Sequence, residues 1–120
     1  MLTSHDLIDR YIATWNEPDD ARRHAIIAAI WTDDAAYLDP SLQGDGRDGI
    51  DAMVKAVHER FPGQRFRRTS DVDAHHDRLR FLWSLGPDAG PPTVQGADFG
   101  VRAADGRLSS ITGFFDPPQA

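Results

Sequence analysis

"WTDDAAYLDP", residues 31–40, is where the chain changes character. Before it, Ile26, Ile27, Ile30 and Trp31 recur at helical spacing and predict a helix ending at about Trp31. Inside it the period drops to two: Ala35, Tyr37 and Asp39 fall on one side of a short strand "AAYLD", Ala36 and Leu38 on the other. Asp39–Pro40 then ends the strand, and "SLQGDGRDGI" (41–50) reads as a flexible, glycine-rich lip. That lip lacks the glycine-rich Lys-Ser/Thr pattern of a phosphate loop. Asp39 has two readings: a turn former, or a carboxylate at the mouth of a cavity, where burial would make it a useful base.

Upstream, Leu7, Ile8, Tyr11, Ile12 and Trp15 share one face of a first helix, with Thr3 or Ser4 as its cap and Asn16 with Pro18 as its end. Pro18 also suits the first turn of the second helix. Downstream, Ile50, Met53, Val54, Val57 and Phe61 predict a third helix from about Asp48, closed by Pro62. The rest is strand-like. "RFRRTSDVDA" (65–74) and "RLRFLWSL" (78–85) flank a turn at "HHD", and Leu79, Phe81, Trp83 and Leu85 alternate with Arg78, Arg80, Leu82 and Ser84. "TVQGADFGVRA" (93–103) and "RLSSITGFFD" (107–116) flank a hairpin tip at "ADG". Helix, helix, strand, helix and then a run of antiparallel strands is an α+β architecture with helices on one face of a curved sheet.

The 120 residues suffice for one domain, 1–120, and the 40% hydrophobic and 27% charged content is that of a folded globular chain. A net charge of -6 argues against nucleic acid and anionic membranes as partners, and "RFRR" does not reverse it. With no cysteine, disulfides, thiolate metal sites and cysteine nucleophiles are excluded. The N-terminus has no signal-peptide pattern, and the longest apolar run, "AIIAAIW" (25–31), is too short to span a bilayer. A cytoplasmic protein is expected. His75, His76 and Asp77 sit at a turn with no second cluster at ligand spacing, so no metal and no cofactor are expected.

The order of elements, carried by "RYIATWN", "WTDDAAYLDP", "GRDGIDAMV" and "ADGRLSSITGFFD", resembles the nuclear transport factor 2-like superfamily and, within it, the SnoaL-like group. The resemblance covers essentially the whole chain. It implies a cone-shaped, curved antiparallel sheet with three N-terminal helices on its concave face. The fold hosts many chemistries, so it does not fix one. Position by position, the chain is most similar to the ketosteroid isomerase type. Tyr11 falls where that family has a first-helix tyrosine, Asp39 where it has an aspartate base in an Asp-Pro pair, and Asp98 where it has a protonated aspartate on a late strand.

The resemblance thus implies catalytic roles for Asp39, Tyr11 and Asp98. Removing a proton next to a carbonyl makes an enolate, which needs a base and donors for the new oxyanion. A tyrosine hydroxyl and a carboxylic acid kept neutral by an apolar site can be those donors. An aspartate inside "TVQGADFGV" is unfavourable in a strand and wants a reason. Period-2 alternation puts Gly96, Gly100 and Arg102 on the face of Asp98 and Phe99 and Val101 on the other. The ketosteroid isomerase type has larger apolar residues two and four positions on from that aspartate, where this chain has Gly100 and Arg102, so either the cavity is more polar or a bulge shifts the register. Trp15, Tyr37, Met53, His58, Trp83 and Phe114 are the candidate substrate-binding residues.

These features give an expected small-molecule-binding protein, performing cofactor-free acid/base catalysis of isomerase or cyclase type on a small carbonyl compound. A homodimer through the sheet is expected from the apolar outer residues Phe99 and Val101. One alternative is a non-catalytic binding or structural module. Another is an epoxide hydrolase of the limonene type, which Tyr37 and Asp39 match in part. That type needs an aspartate just before the final aromatic pair, where this chain has Gly113.

Overall fold

A computed structural model describes residues 1–117 of the chain. The first helix, α1, runs Ser4–Asn16 and is capped by the Thr3 hydroxyl, which accepts from the Asp6 amide at 3.1 Å. Its face of Leu7, Ile8, Tyr11 and Trp15 is buried, with Ile12 half-buried at the margin. Helix α2 runs Asp20–Ile30 with Asp19 as its cap. Pro18 therefore lies ahead of the cap and not in the first turn, because the Asp19 carboxylate supplies the acceptor the Arg22 amide needs. Besides Ile27 and Ile30, α2 buries Arg23, which is 1% exposed and which apolar periodicity could not have found. Its guanidinium donates to Asp51 at 2.6 Å, to the Glu17 carbonyl at 2.9 Å and to Asp20, tying the end of α1 and the start of α2 to the third helix.

Strand β1 runs Trp31–Leu38, so it starts four residues before "AAYLD". Trp31 opens it by pairing with Leu108, and an irregularity follows before regular pairing resumes at Ala36. The glycine-rich lip is more ordered than expected. Gln43–Asp45 form β2, antiparallel to β1, with Leu38 opposite Gln43. Gly44 packs so tightly on the next helix that a Cβ there would lie 3.0 Å from the Gly49 carbonyl oxygen. Helix α3 runs Gly46–Arg60 and buries Ile50, Met53, Val54 and Val57, as its spacing predicts.

The remaining strands are β3 (Arg65–Arg68), β4 (Asp73–His75), β5 (Arg78–Gly86), β6 (Val94–Arg102) and β7 (Leu108–Phe115). The sheet order is β2-β1-β7-β6-β5-β3, with β4 also on β5. Every pairing is antiparallel except β1 with β7, which is parallel. The sheet is therefore mixed, correcting the all-antiparallel expectation. Alternation records which face a residue takes but not the direction of its neighbour, and β1 reaches β7 from far back in the chain.

Leu79, Phe81, Trp83 and Leu85 face the helices, while Leu82 is 51% exposed on the far side. Tyr11 sits at the centre of the core, edge-on to Trp31 and Phe81 at 5.8 Å each. Among the described residues no helix is long and apolar enough to cross a membrane.

Candidate functional site

Between the end of β1, the last turns of α3 and the inner face of β5–β7 lies a cavity of about 240 Å³. Trp15, Tyr37, Phe61, Phe66, Leu85 and Phe115 give it apolar walls, and Asp39 and Arg60 are its charged residues. Behind the partition of Trp15, Tyr37 and Phe66 is a second space of about 10 Å³, bounded also by Tyr11, Trp83 and Asp98.

Asp98 is 3% exposed and receives two hydrogen bonds: the Tyr11 hydroxyl donates to Oδ2 at 2.7 Å and the Trp83 indole N–H to Oδ1 at 2.9 Å. Burial pushes its carboxyl up to about 7, against the pull of those two donors and helped by the charge of Asp39. Burial also raises the Tyr11 hydroxyl well above its ordinary value, and the Asp98 charge adds to that. Tyr37 is raised by burial, then by Asp98 and Asp39. A carboxyl near 7 in a closed, largely apolar site can hold or release a proton at neutral pH.

Asp39 is a turn former and also stands at the mouth of the cavity. Its Oδ1 accepts from the Ser41 and Leu42 amides at 2.8 Å each, an Asx turn that shapes the lip. Its Oδ2 accepts from the Tyr37 hydroxyl at 2.7 Å, and the same carboxylate lines the cavity. All the partners of its two oxygens are donors. Gly113 stands between the two acids. A Cβ there would lie 2.9 Å from Asp98 Oδ1, 3.0 Å from Asp39 Cβ and 3.2 Å from the Tyr37 hydroxyl oxygen, so only glycine lets the three converge.

The register of β6 is regular through Asp98: Phe81, Asp98 and Gly113 lie opposite one another, and the shift comes later, between Val101 and Arg102. Glycine at 100 does not make the cavity polar. A Cβ at Gly100 would meet Ile111 at 2.8 Å and Leu79 at 3.0 Å, so neighbouring strands already supply the apolar bulk.

The proposed wall is only partly right. Trp15 and Tyr37 line the cavity. Trp83 borders the inner space and acts as the donor to Asp98, not as a platform for a ligand. Met53 is buried core and is absent from both linings. His58 is also outside them, and its Nε2 lies 2.6 Å from the Trp15 carbonyl oxygen, joining α3 to the end of α1. Phe114 is 59% exposed on the opposite face of the sheet, and Phe115 takes its place in the cavity. The parity of β7 was available: if Asp98 faces inward, its partner Gly113 does too, and so does Phe115.

Phe61, Phe66, Leu85, Val94, Leu42 and Arg60 were missed as lining residues. They come from different elements, and no linear spacing links them. "RFRR" is a strand whose phenylalanine faces the cavity while Arg67 and Arg68 pair with Asp88 and Asp9. His76 takes a positive φ of 53° in the turn after β4. Among the described residues no group of three or more His, Cys, Asp or Glu is placed to hold a metal.

The SnoaL-like domain family matches residues 8–111. A solved structure of a candidate isomerase of the SnoaL-like family from Agrobacterium tumefaciens is 35% identical, covers 96% of this chain and 99% of its own, and superposes with a TM-score of 0.89. A Catenulispora acidiphila protein with a ketosteroid isomerase-like fold, solved with trimethylamine, is 14% identical, with coverage of 93% and 86% and a TM-score of 0.74. A candidate polyketide cyclase from Sinorhizobium meliloti is 14% identical, with coverage of 90% and 93% and a TM-score of 0.69. The last two show likeness of fold alone. No curated protein matches the chain.

Proposed function

The chain belongs to the SnoaL-like domain family, and from that premise we propose that it binds a small carbonyl compound and performs cofactor-free acid/base chemistry on it, of isomerase or cyclase type. One observation carries the reading: two aspartates converge over Gly113, one buried with its carboxyl at about 7 and the other held by backbone amides at the cavity mouth. Environment has separated two identical side chains into different roles.

In this reading Asp39 takes the proton from the carbon beside the carbonyl and can return it to another carbon. The enolate oxygen accepts hydrogen bonds from Tyr11 and from the protonated form of Asp98. In the free protein the Tyr11 hydroxyl is engaged with Asp98 Oδ2, so the substrate oxygen must enter between them, and Trp83 keeps Asp98 oriented as it does. Tyr37 holds the other oxygen of Asp39 and stands on the path between the cavity and the inner space.

The apolar outer face of the sheet supports a homodimer. Leu38, Thr112 and Phe99 align across β1, β7 and β6, and Phe114, Ala97 and Leu82 across β7, β6 and β5. Four of these six are large apolar residues at least 40% exposed.

The test is an absorbance titration with phenols and naphthols, whose anions mimic an enolate. Binding as the anion, weakened about tenfold by Tyr11→Phe and altered by Asp98→Asn, is the expected result for a lost charge-assisted hydrogen bond. Absence of binding, or binding indifferent to both changes, would leave a non-catalytic module.

A further inference from the structure

We propose that the ligand is an anion: a ring compound of one or two rings, carrying a carboxylate at the end opposite its reacting oxygen, with Arg60 holding that carboxylate at the cavity mouth. This rests on the reading above and names the substrate class for the same cavity.

Arg60 ends α3 and lines the cavity, where it is the one cation among the residues of the wall. The ion pairs of the described residues engage Arg23, Arg67, Arg68, Arg78, Arg80 and Arg107, and Arg60 is in none of them. Its guanidinium carbon lies over the Phe61 ring, 5.4 Å from the centroid, a contact that leaves its N–H groups for another partner. Asp39, the acid of the same wall, is not paired with it and accepts instead from Tyr37, Ser41 and Leu42.

Three considerations define the ligand. The fork of a guanidinium matches a carboxylate in two parallel hydrogen bonds, which a neutral group does not reproduce. The walls between Arg60 and Tyr37 are aromatic and aliphatic and suit the faces of a ring. The cavity, about 240 Å³, lies below the roughly 300 Å³ at which pockets for drug-sized ligands begin, so the ring system is small. A chain of net charge -6 repels anions in general, and a local cation at the mouth is what admits one here. Held there, the carboxylate sets the opposite end of the ligand toward Tyr37 and the inner donors, and binding energy at the remote end orients the reacting one.

The competing role for Arg60 is to complement the C-terminal end of α3, beside His58 in the same last turn. The experiment separates the two. Binding of 6-hydroxy-2-naphthoate and of 2-naphthol is followed by the intrinsic tryptophan fluorescence of the full chain, at low and high salt. Proteins are the wild type, Arg60→Gln, Arg60→Lys, and Arg22→Gln, which removes the same charge from the exposed face of α2. Wild type should bind the naphthoate about tenfold more tightly than the naphthol, the size of one partly exposed charged pair with good geometry. Arg60→Gln should erase that preference by weakening the naphthoate about tenfold more than the naphthol, and Arg60→Lys should keep part of it. Arg22→Gln should keep it, and salt should weaken the naphthoate alone.

Equal affinity for the two compounds overturns the proposal and leaves the proposed function standing. So does an Arg60→Gln protein that unfolds at a lower temperature yet keeps the preference, which makes Arg60 a helix-end residue only. Failure of both compounds to bind overturns the proposal together with the proposed function.

Discussion

Asp98 is the side chain on which the account turns, because its burial and its partners pull in opposite directions. Tyr11 and Trp83 donate to it and favour its charged form, yet burial wins and the carboxyl stands at about 7 against an ordinary 3.8. A carboxyl raised on folding contributes stability that is complete below the unfolded value and is lost as pH rises through the folded one. The window is therefore pH 4 to 7, and a shift of that size is worth on the order of 4 kcal/mol. Asp98→Asn does not titrate there. Thermal unfolding should show the wild type losing stability relative to Asp98→Asn between about pH 4 and pH 7; parallel curves would contradict the assignment. Trp83→Phe removes one donor and should move the Asp98 midpoint upward, read by carboxyl chemical shift. Gly113→Ala puts a methyl against Asp98, Asp39 and Tyr37. It should cost about 1–3 kcal/mol of stability by overpacking and abolish binding of phenolate ligands, measured by denaturant unfolding and titration.

Strands β5, β6 and β7 bring Phe81, Asp98 and Gly113 to one level, with Trp83 two residues further along β5, and their register is what makes the site. It depends on a second close approach. At Gly96 a Cβ would fall inside the Phe114 carbonyl oxygen, so Gly96→Ala must push β7 away from β6. It should destabilise the fold more than Gly113→Ala, where the nearest approach to the added methyl is 2.9 Å. The helices are joined by charge as well as by apolar contact. Arg23→Ala strands Asp51 beneath α2 and should cost roughly 3 kcal/mol in a urea melt, as removing one member of a buried pair does. The helices and strands β5 to β7 were legible because most keep a clear apolar period, whereas 65–74, expected as one strand, is two, β3 and β4, with neither carrying such a period. Strand β2 was not, since "QGD" has no pattern of its own and becomes a strand only by pairing with β1.

The fold as a whole was readable from the order of its elements, and so was the inward placement of Tyr11, Asp39 and Asp98. The cavity wall was not. Phe61, Phe66 and Phe115 come together from separate elements, and strand parity turns Phe115 inward and Phe114 outward. The parallel pairing of β1 with β7 has no local signature either. On the outer face, the exposed Phe99, Leu82 and Phe114 lead to a prediction for the assembled protein. Light scattering should give a dimer for the wild type and a monomer for Phe99→Asp with Phe114→Asp; a wild type that is monomeric would remove the proposed partner.

The central claim is that the fold keeps one aspartate of the pair protonated near neutrality for use as a hydrogen-bond donor. The most direct measurement is a ¹³C carboxyl titration of the free protein, with Asp98→Asn identifying the resonance. A midpoint near 7 for Asp98, as its burial dictates, is the predicted result. A midpoint in the ordinary range of aspartates, near 4, would contradict it and return Asp98 to a structural role between Tyr11 and Trp83.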